Sequence, residues 1–194
     1  MKKGFLLAAF VLALSSFGLA QAQAKDAPKE APKDTPKTVT SILENGVKGI
    51  EAEFVPAAEA MPEDKYNFVP ATGEFKGVRT FAQQIKHVAA VNYMLGAAIL
   101  GEKPPIELGG ENGPDSVKSK ADVMKFIKDS YAYSHKAVAT VNAENAAASI
   151  KSPFGNGTTS RMGLAIVITA HGFDHYGQMV EYLRLNGIVP PASR

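Results

Sequence analysis

The chain has 194 residues, no cysteine, and 21 basic against 19 acidic side chains. Without cysteine there can be no disulfide, no thiolate zinc site, no nucleophilic thiol and no lipid-bearing N-terminal cysteine. The charge is close to balanced and no Lys or Arg cluster marks one face, which argues against a nucleic-acid partner.

The first segment in chain order is MKKGFLLAAFVLALSSFGLAQAQAKD. Lys2 and Lys3 form a basic start, an apolar run follows from about Phe5 to Leu14, and Ala22-Gln23-Ala24 fits an A-x-A cleavage site. The run is shorter than the roughly 20 residues a spanning helix needs. Residues 1–24 therefore read as a cleaved signal peptide rather than an uncleaved anchor. The expectation is an exported protein, periplasmic or secreted after cleavage near Ala24, with no stable membrane insertion afterwards. Lys2 and Lys3 are the only charged residues removed, so the mature chain would balance 19 basic against 19 acidic groups. Residues 25–37, KDAPKEAPKDTPK, carry three prolines and no apolar group larger than Ala. They read as an extended, solvated tether. Residues 38–194 are the size of one domain.

That domain reads as four amphipathic helices. The first covers about Val39 to Ala60, with Ile42, Leu43, Val47, Ile50 and Phe54 on one face and Pro56 threatening its end. The second covers about Phe75 to Leu100, with a stripe of Phe81, Ile85, Val88, Asn92, Leu95 and Ile99, and Gly101 as its stop. The third begins at SKAD, where Ser119 can cap the free amides and Asp122 can reach back. Its buried side is Val123, Ile127, Tyr131, Ala137, Val138 and Val141. The fourth runs from Thr159 or Ser160 to about Asn186, with Gly187 placed to end it. Strand signals are weak, and Ala-rich NAENAAAS (142–149) favours helix or turn. The fold class is therefore all-α, a four-helix bundle. Its long loops, 61–73, 102–118 and 147–157, leave the order of helix directions open and are of a length that often builds a site.

The fourth helix contains TAHGFDHYGQ, in which His171 and His175 are four apart. Residues at that spacing share a helical face, with Cβ atoms about 5–6 Å apart, so both imidazoles can reach one metal ion. The spacing alone also fits two packing histidines. The pair lies in line with Leu164, Ile168 and Met179 or Tyr182, on the inner face, where an imidazole needs a partner. His87 lies beside the apolar stripe of the second helix, in FAQQIKHVAAVNY, sharing a face with Gln84 and Val91. Bundles commonly build metal sites from inward side chains on facing helices. Three neutral imidazoles suit a divalent zinc, nickel, iron or manganese ion. His135 has no histidine or carboxylate three or four residues away and reads as structural or exposed.

Three segments, MPEDKYNFVP (61–70), GEFKGVRTFAQQIKHVAAVNY (73–93) and HGFDHYGQMVEYLRLNGIVPPASR (171–194), resemble the DinB-like superfamily of metal-dependent four-helix-bundle proteins. The resemblance covers essentially the whole mature domain. It implies an up-down-down-up order, and a ligand set of one His on helix two and H-x-x-x-H on helix four. Those positions are His87, His171 and His175 here. Some relatives resemble thiol transferases and others hydrolases or isomerases. The resemblance thus implies a metal-dependent hydrolase or thiol transferase of unknown small-molecule substrate, and a cytosolic thiol is less available to an exported protein. A non-catalytic metal- or ligand-binding bundle, and a bundle whose histidines merely pack, stay open alternatives. Relatives often pair, so a homodimer is compatible, although no exposed apolar stripe demands one.

Four further residues are candidates near the site. Gln178 lies three after His175 and seven after His171, where it could bond a ligand or a bound water, or simply sit between helices. Asn92 could pair helices through its amide, Tyr93 could line a pocket, and Tyr66 could cap its mouth; packing is the plainer reading of Asn92 and Tyr93. Asp174 and Tyr176 point about 100° away from their histidine neighbour and read as surface groups. No phosphate-binding glycine loop rises above background.

Overall fold

The computed structural model describes residues 37–194; the expected signal peptide, and the tether up to residue 36, lie outside the described residues. Four helices carry the fold: α1 (Val39–Ala60), α2 (Phe81–Leu100), α3 (Lys120–Val138) and α4 (Arg161–Leu185). Between α3 and α4 is a small antiparallel hairpin of β1 (Ser149–Lys151) and β2 (Thr158–Ser160), with Ser149 opposite Ser160 and Lys151 opposite Thr158.

Each helix begins where a hydroxyl can take up a free amide. Thr38, Thr80, Ser119 and Ser160 accept from Ser41, Gln83, Asp122 and Gly163. At the first three a side chain also returns to the cap backbone. The cap explains why α2 starts at Phe81 and not near Phe75. The preceding GEFKG holds Gly73 and Gly77 at φ of 112° and 79°, outside helical geometry. The first hydroxyl able to cap in that stretch belongs to Thr80. Phe75 is left 42% exposed in the loop. Helix α1 runs through Pro56 to Ala60 because Pro56 and Ala52 both face solvent, where water can satisfy the carbonyl that the missing N–H releases. Ile42 lies outside the apolar face expected for it and is 56% exposed, one position off the buried Leu43. Val141 is buried as expected, but from the turn after α3 and not from the helix itself.

Contacts between helices give their directions. Asn92 bonds Ser130, Tyr93 stacks on Phe126, and Gly96 abuts Tyr133 and Ala137, so α2 and α3 run parallel. Gly46 against Thr169 and Ile50 against Gly172 make α1 and α4 parallel. Glu51 with His135 and Glu59 with Lys128 make α1 and α3 antiparallel. Gln84 with Gln178 and Ile99 with Arg161 do the same for α2 and α4. The bundle is therefore up-down-down-up.

The interior is filled by Val47, Ile50 and Phe54 of α1, Phe81, Ile85, Val88 and Leu95 of α2, Val123, Ile127 and Tyr131 of α3, and Leu164, Ile168 and Met179 of α4. A fully buried Ile, Leu or Phe contributes on the order of 1.5–3 kcal/mol, so this core, repeated over four helices, holds the site elements rigidly. Among the described residues, no helix is long and apolar enough to cross a membrane.

Candidate metal centre

Helices α2 and α4 bring His87, His171 and His175 together, with one ring nitrogen from each lying within 4.8 Å of the other two. The ring centroids are 4.5 Å apart for His171 and His175, 4.9 Å for His87 and His175, and 5.1 Å for His87 and His171. The Nε2 atoms of His87 and His171 face each other at 3.2 Å. Two nitrogens each about 2.0–2.1 Å from one zinc ion, at a tetrahedral angle, stand roughly 3.3–3.4 Å apart. The observed 3.2 Å is close to that spacing and is also a hydrogen-bonding distance between the two nitrogens.

The outward nitrogens decide which lone pairs point inward. His87 Nδ1–H donates to the Glu111 carbonyl at 2.7 Å. His175 Nδ1–H donates to Gln84 Oε1 at 2.5 Å. Both rings then carry their proton on Nδ1 and leave Nε2 free as a ligand. The Gln84 amide is oriented in turn: its Nε2 donates to Gln178 Oε1 at 2.9 Å, and Gln178 Nε2 donates to Asp174 Oδ2 at 3.3 Å. His171 Nδ1 is buried and has no hydrogen-bond partner; the next residue, Gly172, leaves room for Ile50 of α1.

Electrostatics keep the imidazoles in the ligand form. Burial pushes the pKa of His175 down to about 3, with His171, His87 and Arg79 adding to the effect. Burial does the same for His171, down to about 4, with His87 next in importance. His87 is lowered as well, chiefly by burial. At neutral pH all three are uncharged, as metal ligation requires. Three such donors could hold a divalent ion. His135 lies elsewhere, bonded to Glu51 of α1 at 2.8 Å.

The remaining candidates fall outward from the cluster. Gln178 bonds Gln84 and Asp174 rather than a histidine. Asn92 joins α2 to Ser130 of α3. Tyr93 packs against Phe126 and Tyr133, and Tyr66 is buried with its hydroxyl on the Ala58 carbonyl, so neither lines the histidine cleft. Gln84 and Glu111 emerge as direct partners of the histidines. Gln84 had a signal, since it stands one turn before His87 and shares its face. Glu111 had none, because it arrives from a loop 24 residues away.

Beside His87 opens a cleft of about 390 Å³, walled by Ala90, Val91, Met94 and Leu108 and closed at one end by Gly109, Gly110 and Glu111. The loop bends there so tightly that a Cβ on Gly109 would stand 2.6 Å from the Gly113 carbonyl carbon, and one on Gly113 would stand 2.7 Å from Lys86 Cβ. Both glycines have left-handed φ, 68° and 73°. A larger depression near Lys151 and Arg161 contains none of the three histidines.

A family model described as the DinB superfamily matches residues 48–179. A crystal structure of a DinB-like protein from Bacillus cereus ATCC 10987 superposes with a TM-score of 0.61 at 12% sequence identity, covering 81% of this chain and 98% of that one. No curated protein matches the chain.

Proposed function

The chain belongs to the DinB superfamily, and we propose that it is an exported metal-dependent enzyme, a hydrolase or thiol transferase, with His87, His171 and His175 as ligands. The observation that carries this is the convergence of three neutral imidazoles from two helices, with two of their tautomers set by Gln84 and the Glu111 carbonyl. A divalent ion bound there supplies Lewis-acid polarisation of a substrate group. The chain's own residues supply the rest. Gln84 holds the proton on His175 Nδ1, and the Glu111 carbonyl holds it on His87 Nδ1. The wall of Ala90, Val91, Met94 and Leu108 offers an apolar surface beside His87 for the body of a substrate.

Elemental analysis of protein purified without a metal-binding tag tests the site, alongside the triple variant His87→Ala, His171→Ala, His175→Ala. About one divalent ion per chain, lost in the variant, is the expected result. No metal in either, even after incubation with zinc, nickel and manganese, would make the three histidines packing residues. Turnover of any ester, amide or thiol-transfer substrate by the loaded protein separates an enzyme from a metal-binding bundle. Export is tested by the N-terminus of the protein recovered outside the cytoplasm, expected at Lys25.

A further inference from the structure

Glu111 meets the metal centre twice. Its carbonyl accepts from His87 Nδ1, and its carboxylate lies 2.9 Å from Arg79 Nη2 and 3.9 Å from His87 Nδ1. Arg79 immediately precedes the cap of α2, and its main-chain carbonyl is pinned by the Tyr182 hydroxyl at 2.9 Å. Its guanidinium charge reaches all three histidines.

The two members of this ion pair differ. The Arg79 side chain is 27% exposed and that of Glu111 is 83% exposed. Arg79 Nε is buried and has no partner, so Glu111 takes only one of the donors on a fork built for two. A guanidinium engaged once by a solvated carboxylate gains little from it. With Nε buried, a carboxylate that met the two terminal nitrogens, Nη1 and Nη2, would bind in the bidentate mode that makes Arg–carboxylate pairs strong. The apolar cleft ends at Glu111 and includes His87 in its wall.

We propose that Arg79 is the specificity residue of this site: it receives the carboxylate of a small organic acid whose apolar body lies in the cleft, with Glu111 swinging outward to make way. The proposal rests on the metal reading for its role in turnover, while the acid subsite itself is a property of Arg79. It restricts the substrate class to monocarboxylates with an aliphatic or aromatic body a few carbons long.

The test uses the full chain, zinc-loaded and zinc-free, with hexanoate and its neutral counterpart hexanamide as probes in calorimetric titrations. Zinc content is measured on every sample. Hexanoate is expected to bind at least tenfold more tightly than hexanamide. Arg79→Gln should abolish that preference while zinc content stays unchanged, and Glu111→Gln should tighten hexanoate several-fold by removing the resident carboxylate. Equal binding of the two probes, or a preference that survives in Arg79→Gln, would overturn the proposal and leave the metal site standing. A chain that takes up no zinc yet still prefers hexanoate through Arg79 would sink the metal reading and support the subsite. If Arg79→Gln fails to fold, Glu111→Gln decides, because hexanoate binding unchanged by it contradicts the displacement.

Discussion

Replacing Gln84 by Leu removes the acceptor of the His175 Nδ1 proton and leaves the volume nearly constant. Gln84 is 1% exposed and His175 is 6% exposed, so water cannot take over the bond. Two outcomes are open to the ring. If the proton stays on Nδ1, a buried donor is unpaired, at a cost of about 1–3 kcal/mol. If it moves to Nε2, the ligand lone pair is lost and must be recovered on binding. Either way metal affinity falls, and outer-shell changes of this kind cost about 10–100-fold, which at about 1.4 kcal/mol per decade is the same range as the unpaired bond. Gln178→Leu, one bond further out, should cost a few-fold, since it loosens the Gln84 amide without removing it. Zinc titration against a chromophoric chelator at pH 7.5 reads both, with circular dichroism to verify the fold. A folded Gln84→Leu protein with zinc affinity within twofold of the unsubstituted chain would refute the tautomer argument.

Two further outcomes follow from the same geometry. Gly172→Ala places a Cβ 2.6 Å from Ile50 Cγ1, between α1 and α4; overpacking of this kind costs about 1–3 kcal/mol, or about 2–4 °C of thermal midpoint per kcal/mol for a domain this size. An unchanged midpoint would mean the two helices separate freely. In the metal-free chain, His171 and His175 titrate near 4 and 3 when folded, against about 6.5 when unfolded. Between those values the unfolded chain binds more protons. The contribution is therefore complete above about pH 6.5 and is lost as pH falls toward 4 and then 3. Urea midpoints at pH 7.5 and 4.5 should differ, and the difference should shrink in the His171→Ala, His175→Ala double variant; a single slope for both proteins would contradict it.

Periodicity alone located four helices, because each buries one stripe against the others and period 3.6 survives in Val47, Ile50 and Phe54 or Ile85, Val88, Asn92 and Leu95. Ends were less legible. The apolar Phe75 and Val78 extend the pattern of α2 backwards, and only the cap at Thr80 with the left-handed Gly77 shows where the helix begins. The hairpin before α4 was hidden because three-residue strands carry too few alternations to register. Of the site, the i, i+4 pair was legible and His87 nearly so, since its face was known. The hydrogen-bond partners were less so: Gln84 was placed on the face of His87 but not as the partner of His175, 91 positions away, and a backbone carbonyl leaves no trace in residue type. His135 shows the same limit, as its carboxylate partner stands 84 positions away on α1.

The parallel course of α2 and α3 has a consequence for chain length. A connection between parallel helices must travel the height of the bundle, about 30 Å for a twenty-residue helix. Fully extended backbone covers that in about nine residues. The link between Leu100 and Lys120 has nineteen. About half of it is therefore surplus to the crossing, and that slack is what doubles back through Gly109 and Gly113 to lay Glu111 against His87. A trimmed link would still join the two helices and preserve the architecture while stripping one histidine of its brace. The topology thus obliges a long excursion, and the molecule has turned spare contour length into part of its chemistry.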